Sequence, residues 1–232
     1  MNRLDLSLIW VIWRKHKRNR RLKRLSKNMP IKVLKTHFVR SSTRLQDCPP
    51  ANMAEVAFLG RSNVGKSTFI NQLLECKIAK SSTTPGKTKT ANFFTTTWQL
   101  EQEVVKFGCV DLPGFGYAKV SKSLKQEWGG FLYTLLKQRV SIKLFLHLID
   151  SRHPNLEIDA ALQQFLKSVI KPDQQIMCVY TKFDKLNSHD QHALYYKTPH
   201  LLVSTLKIAT LPPKFGSLKG IQQRVIHALL GL

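Results

Sequence analysis

Residues 60–67 read Gly60-Arg61-Ser62-Asn63-Val64-Gly65-Lys66-Ser67, the spacing G-x-x-x-x-G-K-[ST]. Glycines at these two positions let the backbone turn so that successive N–H groups converge on phosphate oxygens. A helix starting at Lys66 would add its positive dipole end. Lys66 then reaches β- and γ-phosphates and the Ser67 hydroxyl ligates Mg²⁺, the chemistry of a nucleoside triphosphate site. Asp111-Leu112-Pro113-Gly114 closes the apolar run 107–110. That carboxylate is placed to hold the hydration shell of Mg²⁺, and the Gly114 amide to sense the γ-phosphate. Thr181-Lys182-Phe183-Asp184 closes another apolar run, 176–180. Asp184 can accept from the N1–H and N2–H₂ of guanine, whereas adenine has an acceptor at N1 and no 2-amino group. An adenine would leave the carboxylate unpaired at a cost of about 1–3 kcal/mol, which favours GTP and GDP over ATP.

Such segments must be carried on strand ends and helix starts. Short β-rich runs at 33–39, 55–59, 92–98, 104–110, 143–149, 175–180 and 201–203 alternate with helix-like stretches at 66–75, 124–139, 156–169, 189–196 and 217–230. The alternation predicts an α/β fold with a mostly parallel sheet. The nearly continuous apolar run 144–149 fits a central strand covered on both faces. Gly129 and Gly130 interrupt the 124–139 helix, each at about 1 kcal/mol relative to Ala. His147, Trp98 and Trp128 read as packing residues, and nothing resembles the nucleophile elbow of a serine hydrolase.

The whole chain has 232 residues, with 37 Lys and Arg against 14 Asp and Glu, a formal charge of +23. That imbalance is unlike an ordinary small-metabolite enzyme and points to a polyanionic partner, nucleic acid or an anionic membrane surface. Residues 1–28 carry ten of the basic residues and one acid. The segment reads as a basic extension ahead of a single domain over 29–232. Two accounts of it stand: a functional tail, or a start codon set upstream of Met29. Cys48, Cys76, Cys109 and Cys178 are widely spaced, which predicts neither a zinc site nor a disulfide framework and suits a reducing, cytoplasmic setting. No run reaches the length of a membrane-spanning helix.

Taken together, Gly60–Ser67, Asp111–Gly114 and Thr181–Asp184 resemble the translation-factor-related branch of small GTPases. Finer features resemble one subfamily, the EngB (YihA/YsxC) GTPases: Thr84-Pro85-Gly86-Lys87-Thr88-Lys89-Thr90, Asp111 through Ala118, and Asp150-Ser151-Arg152-His153-Pro154 with Asp159. The resemblance covers about 32–232 and implies a three-layer P-loop NTPase fold of small-GTPase type. It implies that Gly86-Lys87-Thr88-Lys89-Thr90 is a first switch whose Thr88 joins Ser67 on Mg²⁺. Val203-Ser204-Thr205 would touch the guanine O6 through backbone N–H groups. It further implies a role in assembly of the large ribosomal subunit, with rRNA as a target, and a requirement in septation and cell division. The expected form is a monomer. The basic residues Lys80, Lys87, Lys89, Lys119 and Lys122 would make the switch surface attractive to RNA.

Many small GTPases place a water-orienting Gln directly after D-x-x-G; here that residue is Phe115. Slow intrinsic hydrolysis is expected, with Lys66, Mg²⁺ and backbone amides such as that of Gly114 stabilising the transition state. Asn63 resembles the Asn that holds K⁺ in related GTPases, or else shapes the loop. The competing reading is a basic RNA-binding or membrane-surface module that works through its N-terminal tail, with nucleotide in a structural role.

Overall fold

Strand β2 (Glu55–Gly60) is buried at all six positions, so it needs cover on both of its faces. The computed structural model describes residues 30–79, 90–115, 124–198 and 218–231, with no side chain described for 124–129. Among the described residues six strands form one sheet in the order β1-β3-β4-β2-β5-β6. The others are β1 (Ile31–Ser42), β3 (Ala91–Leu100), β4 (Glu103–Asp111), β5 (Ile142–Asp150) and β6 (Gln175–Thr181). The four strands β4, β2, β5 and β6 run parallel, while β1–β3 and β3–β4 are antiparallel.

Alternation along β2 and β5 sends side chains to two cores. Val56, Phe58, Leu144, Leu146 and Leu148 pack with Phe69, Ile70 and Leu73 of α1 (Lys66–Leu73) and with Ile221, Val225 and Ile226 of α5 (Leu218–Leu230). Ala57, Leu59 and Phe145 face the other way, onto Leu132, Leu135 and Leu136 of α2 (Leu124–Gln138) and Leu162 and Leu166 of α3 (Glu157–Val169). Helix α4 (Ser188–Lys197) follows β6 and starts at Asn187, whose side chain accepts from the Asp190 N–H at 2.8 Å. This is the three-layer P-loop NTPase arrangement of small-GTPase type.

The expected strands and helices within the described residues are present, most of them displaced by one or two residues at an end. The strand expected at 201–203, the basic extension 1–28 and residues 80–89 and 116–123 lie outside the described residues. Gly129 and Gly130 do not break α2, which runs unbroken through both. The Thr134 hydroxyl donates to the Gly130 carbonyl at 2.6 Å, and a Cβ at Gly130 would meet nothing within 4 Å. Trp98 is fully buried, packs edge-on against Phe107 and donates from Nε1 to the Thr96 hydroxyl at 3.0 Å. All four cysteines are free thiols. Burial pushes the Cys109 thiol far above its ordinary value, which keeps it inert. Among the described residues no helix is long and apolar enough to cross a membrane.

Candidate nucleotide site

Four parallel strands end side by side, and each end delivers a residue from the motifs above: Gly60 from β2, Asp111 from β4, Asp150 from β5 and Thr181 from β6. The crevice beyond the carboxyl ends of such strands is where open α/β sheets bind ligands.

Between β2 and α1 the chain makes a tight loop closed by the Val64 N–H on the Arg61 carbonyl at 3.2 Å. Asn63 (φ 61°) and Gly65 (φ 98°) hold left-handed backbone. Asn visits that region more readily than most residues, and Gly at no steric cost. Directly after Gly65 the helix starts, with the Phe69 N–H on the Gly65 carbonyl at 2.9 Å. The loop therefore delivers a helix N-terminus, its unsatisfied amides and Lys66 to one place.

The segment after β4 is zipped to this loop. The Ser62 N–H donates to the Phe115 carbonyl at 2.9 Å, and the Phe115 N–H to the Gly60 carbonyl at 3.3 Å. A Cβ on Gly114 would lie 2.8 Å from both N and Cα of Ser62, so only glycine allows this approach. Lys66 forms an ion pair with Asp111, both side chains nearly buried. An ammonium, a serine hydroxyl at the helix start and a strand-end carboxylate can together manage a triphosphate and its divalent cation. Within the described residues, Ser67 and Asp111 are the residues that fit Mg²⁺. Thr88 lies outside the described residues, as do Gly86, Lys87 and Lys89; Thr90 is half-buried immediately before β3.

The β6 end braces the loop from the other side. The Thr181 hydroxyl lies 2.6 Å from the Val64 carbonyl and 3.2 Å from that of Ile149. Lys182 (φ 56°) donates from Nζ to the Asn63 carbonyl at 2.5 Å and to Asp150 Oδ2 at 2.9 Å. Asp150 also takes Arg152 at 3.0 Å through Nε and 2.8 Å through a terminal nitrogen. Burial pushes the Asp150 carboxyl up, but the hydrogen bonds from Arg152 and Lys182 outweigh it and hold the group well below the usual carboxylate range. Phe183 is fully buried and anchors the turn Phe183–Lys185, which leaves Asp184 half-buried. Leu112 is buried and Pro113 half-buried. Val203, Ser204 and Thr205 lie outside the described residues.

Sequence reasoning missed one tether. Arg61 Nε donates to Asp159 Oδ2 at 3.1 Å, and Asp159 Oδ1 lies 3.2 Å from His147 Nε2. His147 is thus a hydrogen-bonded core group rather than simple packing, and its Nδ1 has no partner among the described residues. The presence of Asp159 in the subfamily pattern was the available signal; its pairing with Arg61 was not readable.

Comparison with known proteins bears on this geometry. The family model described as 50S ribosome-binding GTPase matches residues 55–182. "Probable GTP-binding protein EngB" of Helicobacter pylori (strain J99 / ATCC 700824) is 50% identical over 203 residues, 86% of this chain and 98% of that protein. The chain belongs to the EngB family. The protein of the same description from Helicobacter acinonychis (strain Sheeba) is 50% identical over 197 residues, 84% of this chain and 95% of the relative. A solved structure titled "Crystal structure of a probable GTP-binding protein engB" is 18% identical with a TM-score of 0.48, covering 77% of this chain and all of that one. The family model's match, residues 55–182, takes in the phosphate loop, the four strand ends and Lys182 of the brace from β6.

Proposed function

We propose that this chain binds and hydrolyses GTP as a Mg²⁺-dependent switch in assembly of the large ribosomal subunit. The observation that supports this best is the joining of three motifs at one end of the sheet: Ser62 to Phe115, and Thr181 and Lys182 to Val64 and Asn63.

In this reading the amides of Gly60–Ser67 and the Lys66 ammonium bind the β- and γ-phosphates. Ser67, with Thr88, would hold Mg²⁺, and Asp111 its hydration shell. When bound, the metal neutralises charge on the phosphate oxygens. The Gly114 amide donates to the γ-phosphate, Asp184 accepts from guanine, and Val203–Thr205 meet its O6. Phe115 is buried and offers no acceptor to an attacking water. Hydrolysis by the chain alone is therefore slow, and its transition-state charge rests on Lys66 and backbone donors. Asn63 is the residue on which stimulation by K⁺ would depend; equal rates in K⁺ and Na⁺ would remove that part.

The deciding experiment is co-sedimentation of the full chain with purified large ribosomal subunits at fixed, near-physiological salt, comparing a non-hydrolysable GTP analogue, GDP and no nucleotide. Pelleting that depends on the analogue supports the switch and its target; pelleting indifferent to nucleotide removes the switch. ATP as potent as GTP in competition would remove the guanine assignment. The requirement in septation and division is read as a consequence of subunit supply. On depletion, subunit defects should then precede division defects. We place the protein in the cytoplasm as a monomer, which sedimentation of the purified chain checks.

A further inference from the structure

The basic residues of β1 stand at positions 32, 35, 37 and 40, a spacing that simple alternation would scatter over both faces of a strand. Two irregularities of register, at Val33/Lys35 and Phe38/Arg40, undo that scatter. Lys32 pairs with Gln99, Lys35 with Thr97, His37 with Thr95 and Arg40 with Phe93, all odd-numbered residues of β3. Directly paired residues of an antiparallel ladder share a face. All four basic residues of β1 therefore lie on one face, and all four are exposed.

The same face continues onto β4, where Thr97 pairs with Lys106 and Gln99 with Val104. Across the three strands the rows read Lys35-Thr97-Lys106 and Lys32-Gln99-Val104. The two lysines of the first row stand about 10 Å apart at the backbone, two strand spacings. Among the described residues the carboxylates near this face are few and accounted for. Glu103 pairs with Leu100 and so belongs to the opposite face, and Glu101 sits in the turn beyond β3. Asp47, by the Arg40 end, is paired with Arg44. Glu55, opposite Gly108, is buried against Arg139.

We propose that this face of β1, β3 and β4 binds the sugar-phosphate backbone of an RNA through Lys32, Lys35, His37, Arg40 and Lys106. Lysine and arginine side chains neutralise phosphates, and threonine and glutamine between them supply the hydrogen bonds that position a backbone. Like charges held side by side on an exposed sheet repel one another, and a polyanion relieves that repulsion. The surface suits a membrane or an apolar protein partner less well: in the Lys35 and Lys32 rows Val104 is the one large apolar side chain, and the exposed Leu34 and Val39 stand singly at the two irregularities of β1. The proposal rests on the ribosomal reading above only for the source of the RNA.

The test uses the full chain and a labelled single-stranded RNA of mixed sequence, about 20 nucleotides long, with anisotropy read over a series of salt concentrations. Lys35→Glu/Lys106→Glu should weaken binding about tenfold or more and lower the salt slope by about 1.4, two contacts at ~0.7 each. Lys167→Glu/Lys197→Glu makes the same change of net charge at exposed positions of α3 and α4. It should leave affinity within about twofold. Unchanged thermal midpoints and nucleotide affinity show that both variants fold. Equal weakening by the two pairs overturns the inference, because whole-chain charge would then carry the binding. So does RNA binding untouched by Lys35→Glu/Lys106→Glu, including the case where only binding to anionic phospholipid vesicles or to an acidic peptide is lost. Pelleting with large subunits is scored separately. If the unmodified chain does not pellet while the RNA result holds, the ribosomal target falls and this face stands. If pelleting and RNA binding both survive the substitutions, this face falls and the target stands.

Discussion

Two buried carboxylate–cation pairs at opposite ends of the central strands, Glu55–Arg139 and Asp111–Lys66, are built differently. At the amino end of β2, Glu55 accepts from Arg139 at 2.5 and 2.7 Å and from the Ser141 hydroxyl at 2.6 Å. Arg139 is itself fixed by the Pro49 carbonyl at 3.0 Å and by the Phe93 ring, 4.9 Å away. At the carboxyl end of β4, Asp111 takes the ammonium of Lys66. A guanidinium fork clamped on both carboxylate oxygens locks one geometry. An ammonium on a four-carbon stem is a point charge that can turn to another anion. The closed pair belongs to a scaffold, and the simpler pair to a place where ligand charge arrives.

Arg139→Ala should produce the largest effect and should separate the ends cleanly. It leaves Glu55 buried without its cation, at a cost of about 3–5 kcal/mol in urea unfolding. Nucleotide affinity of the molecules that remain folded should not change. A fall in affinity without a fall in stability would mean that the two ends are not separate. Lys66→Ala should do the reverse: hydrolysis drops about 10²–10³-fold. Its cost in stability should be the smaller of the two, since one hydrogen bond to Asp111 is lost rather than two to Glu55. Single-turnover hydrolysis and urea curves on the same preparations give both numbers.

The open end was legible in the sequence and the closed end was not. Gly60–Ser67, Asp111 and Thr181–Asp184 announce themselves because each follows an apolar run and each contains residues that bulk packing does not call for. Glu55 reads only as the first residue of a strand and Arg139 as the last of a helix. Nothing local joins two residues 84 positions apart. The Arg61–Asp159–His147 chain was hidden for the same reason, since its members come from a loop, a helix and a strand. The basic face of β1 escaped differently: its residues are visible, but the two register irregularities that align them are properties of the pairing with β3. Gly129-Gly130 misled because propensity is a weak prior, and the packing of Leu132, Leu135 and Leu136 overrides it.

Titration should sharpen the contrast at the ligand end. The Asp150 carboxyl is held below its ordinary range in the folded protein, so its charged form favours folding. That contribution is complete above the unfolded value of about 3.9 and is lost as pH falls from there through the folded value. Unfolding free energies measured across the acid range should therefore fall less steeply for Asp150→Asn than for the unmodified chain, with the unmodified chain the more stable near neutrality. Because Lys182 bridges Asp150 and the Asn63 carbonyl, the same substitution should also weaken nucleotide binding. Parallel acid limbs would mean that Arg152 and Lys182 do not set this carboxylate.

The smallest effect is expected from Gly130→Ala, and it tests the scaffold end from the favourable side. Gly130 is exposed in the interior of α2, and an added Cβ has open space. Alanine there removes backbone freedom from the unfolded chain and should raise stability by up to about 1 kcal/mol. Arg139 directly follows this helix, its N–H on the Leu135 carbonyl at 2.9 Å, so the gain should reach the Glu55 pair. Urea unfolding should shift to higher concentration with an unchanged slope. Hydrolysis and nucleotide affinity should stay where they are, because the phosphate loop is braced by β6 and by the Gly114 segment rather than by this end of α2. A gain in stability accompanied by slower hydrolysis would show instead that α2 couples the closed end of the sheet to the open one.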